Sequence, residues 1–247
     1  MNRLFIEDET LNVNRIIVIK GDKHLKIKNV LRLREESPII LFNNTEYEFF
    51  GKIARIEKTE THVLIVDKRA ASKTSDIEIL LACALTKGKK FEFVLEKTTE
   101  LGVTGIIPII SERTIVRDMS SHRLNRWQRI LEESSRQCGR TKVVRLEEPL
   151  KLDQFFLKSR EMSGSKLILV EPRAESQGQK PGTDSQGESS SHYLVLIGPE
   201  GGFSENEVQL ALKEGFSPLT LGKLTLRADT SPLVIMALLQ FPSLRRH

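Results

Sequence analysis

The sequence predicts an α/β protein, in which a small β-rich unit precedes a larger domain built on a mostly parallel sheet. Residues 15–70 contain short runs of β-forming residues with turn signals between them. From Asp76 onward, continuous apolar runs alternate with segments of helical period. Because the polar residues 68–75 separate the two patterns, we place the domains at 1–70 and 76–247.

Four strands and one short helix are expected in the N-terminal unit. The strand candidates are residues 15–20, 38–42, 49–56 and 62–66, with a turn at Asn43-Asn44. Residues 24–33 carry apolar side chains at a spacing that suits a short helix better than a strand.

The larger domain is expected to alternate strands with helices. Buried strands are predicted at residues 77–85, 105–110, 142–146, 166–170 and 193–197. One helix carries Phe91, Val94 and Leu95 on one face and ends before Gly102, and a second covers residues 123–137. This alternation predicts helices on both faces of the sheet.

A segment rich in Gly, Ser and Gln interrupts this alternation at residues 173–191. Its composition is typical of a flexible insertion. A domain linker is the competing interpretation. We reject it because the strand-like runs on either side are too few to close a separate domain.

Composition limits the classes of function. The 247 residues carry a formal charge of +5, which is compatible with a polyanionic partner. The sequence has neither an apolar run long enough to span a bilayer nor a secretory leader. Cys83 and Cys138 have no ligand-spaced neighbours, so we expect no metal site and a reduced, cytoplasmic setting.

Residues 196–204, Leu-Ile-Gly-Pro-Glu-Gly-Gly-Phe-Ser, are the most informative stretch of the chain. An apolar strand runs into a glycine turn, and Ser204 with Glu207 has the spacing of a capping box that begins a helix. Loops between a strand and a helix are where α/β sheets bind ligands. The spacing alone leaves an ordinary turn and a ligand site both open.

A second loop, residues 220–230, also precedes a helix start. Thr230 or Ser231 is expected to cap that helix, with Pro232 at its first helical position. Residues 232–240 are almost entirely apolar, so we expect this helix to be covered within the domain or by a second subunit, and we favour a dimer interface. Neither loop has the P-loop or the dinucleotide fingerprint, which disfavours a nucleotide-dependent enzyme of Rossmann type.

These two loops carry a family resemblance. Residues 197–204, Leu221-Gly222 and residues 226–230, Leu-Arg-Ala-Asp-Thr, resemble the bacterial 16S ribosomal RNA uridine-N3 methyltransferases of the SPOUT superfamily. Supporting matches are residues 97–103, Arg126-Trp127, Gln137 with Arg140, and, for a PUA-like N-terminal domain, His24-Leu25 with residues 30–32. The similarity covers nearly the whole chain. It departs at Asp229, where the family more often has Glu, at Ser231-Pro232, and at the insertion.

The resemblance implies a deep trefoil knot in the C-terminal domain, an N-terminal PUA-like β-barrel that binds RNA, and a homodimer formed through the C-terminal domain. It also implies S-adenosylmethionine as the cofactor and 16S rRNA of the small subunit or its late precursor as the partner. Carried over by position, the cofactor would be bound by three segments, at 169–172, 197–202 and 221–230. The cofactor-binding residues would be Leu169, Glu171, Ile197, Gly198, Gly201, Gly202, Leu221, Gly222, Leu224, Leu226 and Thr230.

Two side chains are candidates for chemistry. Arg227 is a candidate for stabilising negative charge on the uracil; the alternative is a solvated arginine at the helix start. Glu200 is a candidate base or cofactor-orienting group; the alternative is a carboxylate bound by backbone N–H groups at the helix start. Residues 113–142 carry eight Arg and Lys against three Asp and Glu, which favours a phosphate-contacting surface. The predicted RNA contacts are Arg113, Arg117, Arg126, Arg136 and Arg140.

Two other functions remain open at this stage. One is a non-catalytic RNA-binding homologue, which would lose the cofactor pocket. The other is a SPOUT methyltransferase that acts on a transfer RNA base or on a ribose 2′-hydroxyl. The intact glycine loop argues against the first.

Overall fold

The computed structural model describes residues 2–8, 10–71, 75–116, 120–171 and 191–241. The chain divides into two compact units. The first comprises Met1–Lys73 with Ser135–Val143, and the second comprises Thr74–Ser134 with Val144–His247. The short segment Ser135–Val143 thus joins the first unit, although it lies far beyond residue 76 in the sequence.

The first unit is a curled five-stranded sheet with a short helical segment. Its strands are β1 (Asn2–Phe5), β2 (Ile16–Lys20), β3 (Pro38–Phe42), β4 (Tyr47–Ile56) and β5 (Glu60–Ala70). The strand order is β1-β3-β4-β5-β2, and every pair is antiparallel except β1 with β3. Two register shifts between β4 and β5 bend the sheet. The edge strands β1 and β2 do not pair with each other, so the curled sheet is an open half-barrel.

The predicted strands of this unit are confirmed, and β4 and β5 are longer than predicted. The expected helix over 24–33 begins earlier, as α1 (Gly21–Leu25) followed by one π-helical turn (Lys26–Val30). Asn44 has a φ of 65°, as a turn residue there requires. Strand β1 was not predicted, because its four residues show no alternation of apolar and polar side chains.

The second unit contains seven strands and five helices within the part of the chain that the structure describes. The elements are β6 (Glu78–Ala84), α2 (Lys90–Glu100), β7 (Gly105–Ile110), α3 (Ser121–Gln137, whose last turn belongs to the first unit), β8 (Arg145–Leu146), β9 (Leu150–Lys151), α4 (Leu152–Ser159), β10 (Ser165–Leu169), β11 (His192–Ile197), α5 (Glu205–Lys213), β12 (Ser217–Leu219) and α6 (Ser231–Gln240). The strand order is β12-β10-β11-β6-β7-β8, with β9 also beside β7, and all pairs are parallel.

Both faces of this sheet are covered, as predicted. On one face, Ala82 and Leu196 pack with Phe155, Phe156 and other residues of α4 and α5. Side chains that alternate with these along the same strands, such as Leu81 and Val195, are also fully buried. Cys83 lies in β6 as a buried packing residue, and this burial raises the pKa of its thiol to about 12.

Helix α6 is only partly covered within the chain. Ile235, Met236 and Leu239 are buried, whereas Leu233 and Val234 are half-exposed. None of the helices in the described ranges is both long and apolar enough to cross a lipid bilayer. The predicted insertion at 173–191 lies outside the described residues except for Ser191.

Candidate functional site

The glycine loop, residues 198–203, connects β11 to α5. Ser204 is the N-cap of α5, and its Oγ accepts a hydrogen bond of 3.3 Å from the Glu207 N–H. The Glu207 carboxylate accepts one of 2.9 Å from the Ser204 N–H, which completes the predicted capping box. The loop therefore enters the helix with a fixed direction.

Two glycines of this loop occupy positions where a side chain would crowd a neighbouring residue or strain the backbone. A Cβ atom at Gly198 would lie 3.2 Å from the Gly202 carbonyl carbon and 3.2 Å from the Phe203 ring. Gly202 has a φ of 65°, and its N–H donates to the Pro199 carbonyl at 2.9 Å. This left-handed conformation strains any residue with a Cβ atom.

Glu200 ties the glycine loop to the residues that follow β6. Its carboxylate accepts from the Lys90 ammonium at 3.1 Å and from the Lys87 N–H at 3.4 Å. Burial favours the neutral carboxyl, but hydrogen bonds from its own N–H, Lys90 and Lys87 outweigh this effect and lower the pKa of Glu200. Glu200 is therefore suited to hold the loop and poorly suited to accept a proton.

Arg113 holds the same loop on its other side. Its guanidinium donates to the Gly201 carbonyl at 2.7 Å, and the neighbouring Glu112 N–H donates to the Glu207 carboxylate at 2.7 Å. Arg113, which the sequence predicted as an RNA contact, thus binds the glycine loop in the structure.

The Arg227 loop, residues 220–230, leads from β12 to α6. The Arg227 carbonyl accepts from the N–H groups of Thr230 and Ser231 and from the Ser231 hydroxyl, at 2.9–3.0 Å. Thr230 occupies the N-cap position as predicted, but its side chain makes no capping hydrogen bond, because its backbone is already helical. The Arg227 guanidinium is exposed and has no hydrogen bond or ion pair with another described residue.

One cavity of about 570 Å³ lies where these loops meet the end of β10. Its lining is Lys90, Leu169, Val170, Glu171, Ile197, Gly198, Pro199, Glu200, Gly202, Leu221, Leu224, Thr225, Leu226, Arg227, Ala228 and Ser231. Both predicted catalytic residues and eight predicted cofactor residues are in this set. Gly201, Gly222 and Thr230 are not, although each belongs to a lining loop.

Residues 73–240 match the model of the RNA methyltransferase domain family. The chain belongs to this family. A ribosomal RNA small subunit methyltransferase E from Neisseria gonorrhoeae, solved with S-adenosylmethionine bound, is 32% identical, with 98% of each chain covered and a TM-score of 0.87. A methyltransferase from Legionella pneumophila, solved with its cofactor SAM, is 30% identical, with 97% of each chain covered and a TM-score of 0.86.

Curated relatives agree with this assignment to the RNA methyltransferases. A ribosomal RNA small subunit methyltransferase E from Buchnera aphidicola is 29% identical over 241 residues, which cover 96% of this chain and 92% of that protein. The protein of the same name from Bacillus subtilis is 25% identical, with 98% and 96% covered. The family membership that the glycine loop and the Arg227 loop predicted is confirmed.

The basic residues predicted to bind RNA are divided between the two units of this RNA methyltransferase. Arg113 and Arg126 belong to the second unit, and Arg126 forms an ion pair of 2.7 Å with Glu92. Arg136 and Arg140 belong to the first unit, where burial lowers the pKa of the Arg140 guanidinium. Arg117 lies outside the described residues.

Sequence reasoning missed one charged residue of the cavity. Lys90 lines it beside Glu200, although the two residues are 110 positions apart in the sequence. The only signal was indirect: Lys90 begins α2, the helix that follows the carboxyl end of the parallel strand β6, and such sites form at this edge of a sheet.

Proposed function

We propose that this protein transfers a methyl group from S-adenosylmethionine to N3 of a uridine in 16S rRNA of the small subunit or its late precursor. The observation that carries the proposal is that one cavity is lined by residues from each of the three segments that the family motif assigns to the cofactor. Relatives that align over nearly their full length are named for methylation of small-subunit ribosomal RNA. Their names favour this target over transfer RNA.

The residues present fit the proposed cofactor. The cavity volume lies within the roughly 300–1,000 Å³ that is usual for small-ligand sites. Leu169, Ile197, Leu221, Leu224 and Leu226 supply apolar walls for adenine, and the tight approach at Gly198 keeps backbone groups at the surface of the cavity. The Glu171 carboxylate is an acceptor for hydroxyl or ammonium groups.

When bound, the cofactor supplies an electrophilic methyl group on a sulfonium. The chain must then position the uracil and stabilise the negative charge that develops as N3 loses its proton. Arg227 is suited to this task, because its exposed guanidinium lines the cavity and is not engaged by another described residue. We assign Glu200 to holding the glycine loop, in view of its contacts with Lys90 and Lys87.

The finer features of the family are part of the same proposal. We propose a deep trefoil knot in the C-terminal domain. In support of it, the chain leaves β11, passes through α5 and returns past β10 to form the edge strand β12. A homodimer is supported by the half-exposed apolar side chains Leu233 and Val234 on α6. We propose that the N-terminal half-barrel is a PUA-like RNA-binding domain. We also propose that the protein acts in the cytoplasm, where ribosomes assemble.

The test is the modified nucleoside itself. Ribosomal RNA from a strain that lacks the gene should have one uridine without its N3 methyl group, and a plasmid copy should restore it. Loss of a transfer RNA modification or of a ribose 2′-O-methyl group would instead support the other SPOUT activities. Unchanged RNA would argue for a non-catalytic protein.

A further inference from the structure

The lysine loop, residues 87–90, has the sequence Lys-Gly-Lys-Lys; it follows β6 and ends at Lys90, the first residue of α2. All four residues are exposed. Gly88 has a φ of 64° and open space around the position of a Cβ atom, so the turn projects into solvent. Three cations are therefore concentrated on one short turn.

A nearby carboxylate pairs with Lys90, whereas none pairs with the ammonium groups of Lys87 and Lys89 within the described ranges. Glu200 is bonded to Lys90, and Glu92, the acidic residue of the first turn of α2, is paired with Arg126 at 2.7 Å. Within the described ranges, no carboxylate forms an ion pair with Lys87 or Lys89. Both ammonium groups are thus available to an anion from outside the chain.

The lysine loop lies beside the cavity of the second unit. Lys90 lines that cavity, and the Lys87 N–H contacts the Glu200 carboxylate, which also lines it. The Arg227 loop adds the exposed cations Lys223 and Arg227 to the same region. The N-cap residue of α2, Lys89, makes no side-chain capping bond, so the positive end of the helix dipole adds to this field.

We propose that Lys87 and Lys89 bind backbone phosphates of the RNA strand on either side of the target nucleotide. This inference rests on the proposed function, since a nucleotide whose base enters the cavity brings its flanking phosphates to the cavity mouth. Lysine binds phosphate as a point charge, and phosphate contacts fix the register of a nucleic acid without reading its sequence. The lysine loop would thereby hold the strand while the cavity selects the base.

The test compares two double variants that remove the same charge. In K87A/K89A the lysine loop loses both free cations, while Lys90 and the backbone contact to Glu200 remain. The control, K158A/K213A, removes two exposed lysines of α4 and α5 that do not line the cavity. Binding to small subunits from a strain lacking the gene is measured across a salt series, together with S-adenosylmethionine affinity by calorimetry.

K87A/K89A should weaken RNA binding about tenfold at low salt and reduce the slope of log K against log salt by about 1.5, since each phosphate contact contributes roughly 0.7–0.9. S-adenosylmethionine affinity should equal that of the unmodified protein. A slope no different from that of the control overturns the inference, and so does a loss confined to cofactor affinity. Failure of the proposed function is separately visible, because the unmodified protein would then not bind S-adenosylmethionine or methylate the subunits.

Discussion

Replacing Gly202 by alanine should weaken S-adenosylmethionine binding more than it weakens the fold. The residue has a φ of 65° in the middle of the glycine loop, and its N–H closes a turn onto the Pro199 carbonyl. An alanine Cβ atom would lie 3.7 Å from the Glu171 carboxylate, so no collision occurs. The effect must therefore come from backbone strain and from the methyl group added beside Glu171.

The size of the effect follows from the left-handed conformation. An L-residue with a Cβ atom pays roughly 1–2 kcal/mol there relative to glycine. In the free protein the loop can relax out of this conformation, and binding then has to restore it. If the strain appears entirely as lost affinity, the dissociation constant rises about 5- to 30-fold. If it stays in the folded state, Tm falls by about 2–4 °C for each kcal/mol.

Gly215 provides a matched control. It has a φ of 83° after α5, with open space around its Cβ position, and it does not line the cavity. G215A should therefore lower Tm in a thermal melt and leave the calorimetric dissociation constant unchanged. If G202A binds S-adenosylmethionine as tightly as G215A does, the glycine loop is not a wall of the cofactor site.

Three further predictions follow from the same contacts. R227A should abolish methyl transfer yet retain cofactor binding, because the guanidinium is assigned to charge on the uracil. R113A should weaken cofactor binding several-fold, because it removes the hydrogen bond that holds the Gly201 carbonyl, and R113K should restore part of it. The pKa of Glu200 is lower in the folded protein than in the unfolded chain, so ionised Glu200 stabilises the fold above the unfolded pKa of about 4.3. This stabilisation is lost as pH falls through the folded pKa. E200Q should therefore melt at a lower temperature than the unmodified protein at neutral pH and at the same temperature in acid.

Each of these variants has a clear contradicting result. Normal turnover by R227A in a methyl-incorporation assay would remove Arg227 from the chemistry. An R113A variant that binds the cofactor normally but binds RNA weakly would return Arg113 to its predicted role as an RNA contact. A constant difference in Tm between E200Q and the unmodified protein at all pH values would show that the lowered pKa does not contribute to stability.

Local features of the site were predictable from sequence. The capping box depends on Ser204 and Glu207, three residues apart, and the strand before it is a plain apolar run. Such local interactions can be predicted because the residues that form them lie close together in the sequence. Helix α4 was not predicted from the sequence. Its buried residues Leu152, Phe155, Phe156 and Ser159 have helical spacing, but the helix is only eight residues long, so the pattern is too short to be recognised.

Contacts between distant segments were not predictable. Lys90 meets Glu200, and Arg113 meets Gly201, only because parallel strands bring their carboxyl ends to one edge of the sheet. Residue types left several possible roles open for Glu200 and Arg113, and their hydrogen-bond partners favour a role in holding the glycine loop. The structure thus changed the interpretation of side chains more than that of the backbone.

Direct transfer to defined RNA is the measurement that tests the central claim. Small subunits from a strain lacking the gene are incubated with the purified protein and methyl-labelled S-adenosylmethionine, and the digested 16S rRNA is analysed by mass spectrometry. We expect label in 3-methyluridine at a single position, with none when R227A replaces the unmodified protein. Label in another nucleoside, or no label in 16S rRNA, would contradict it.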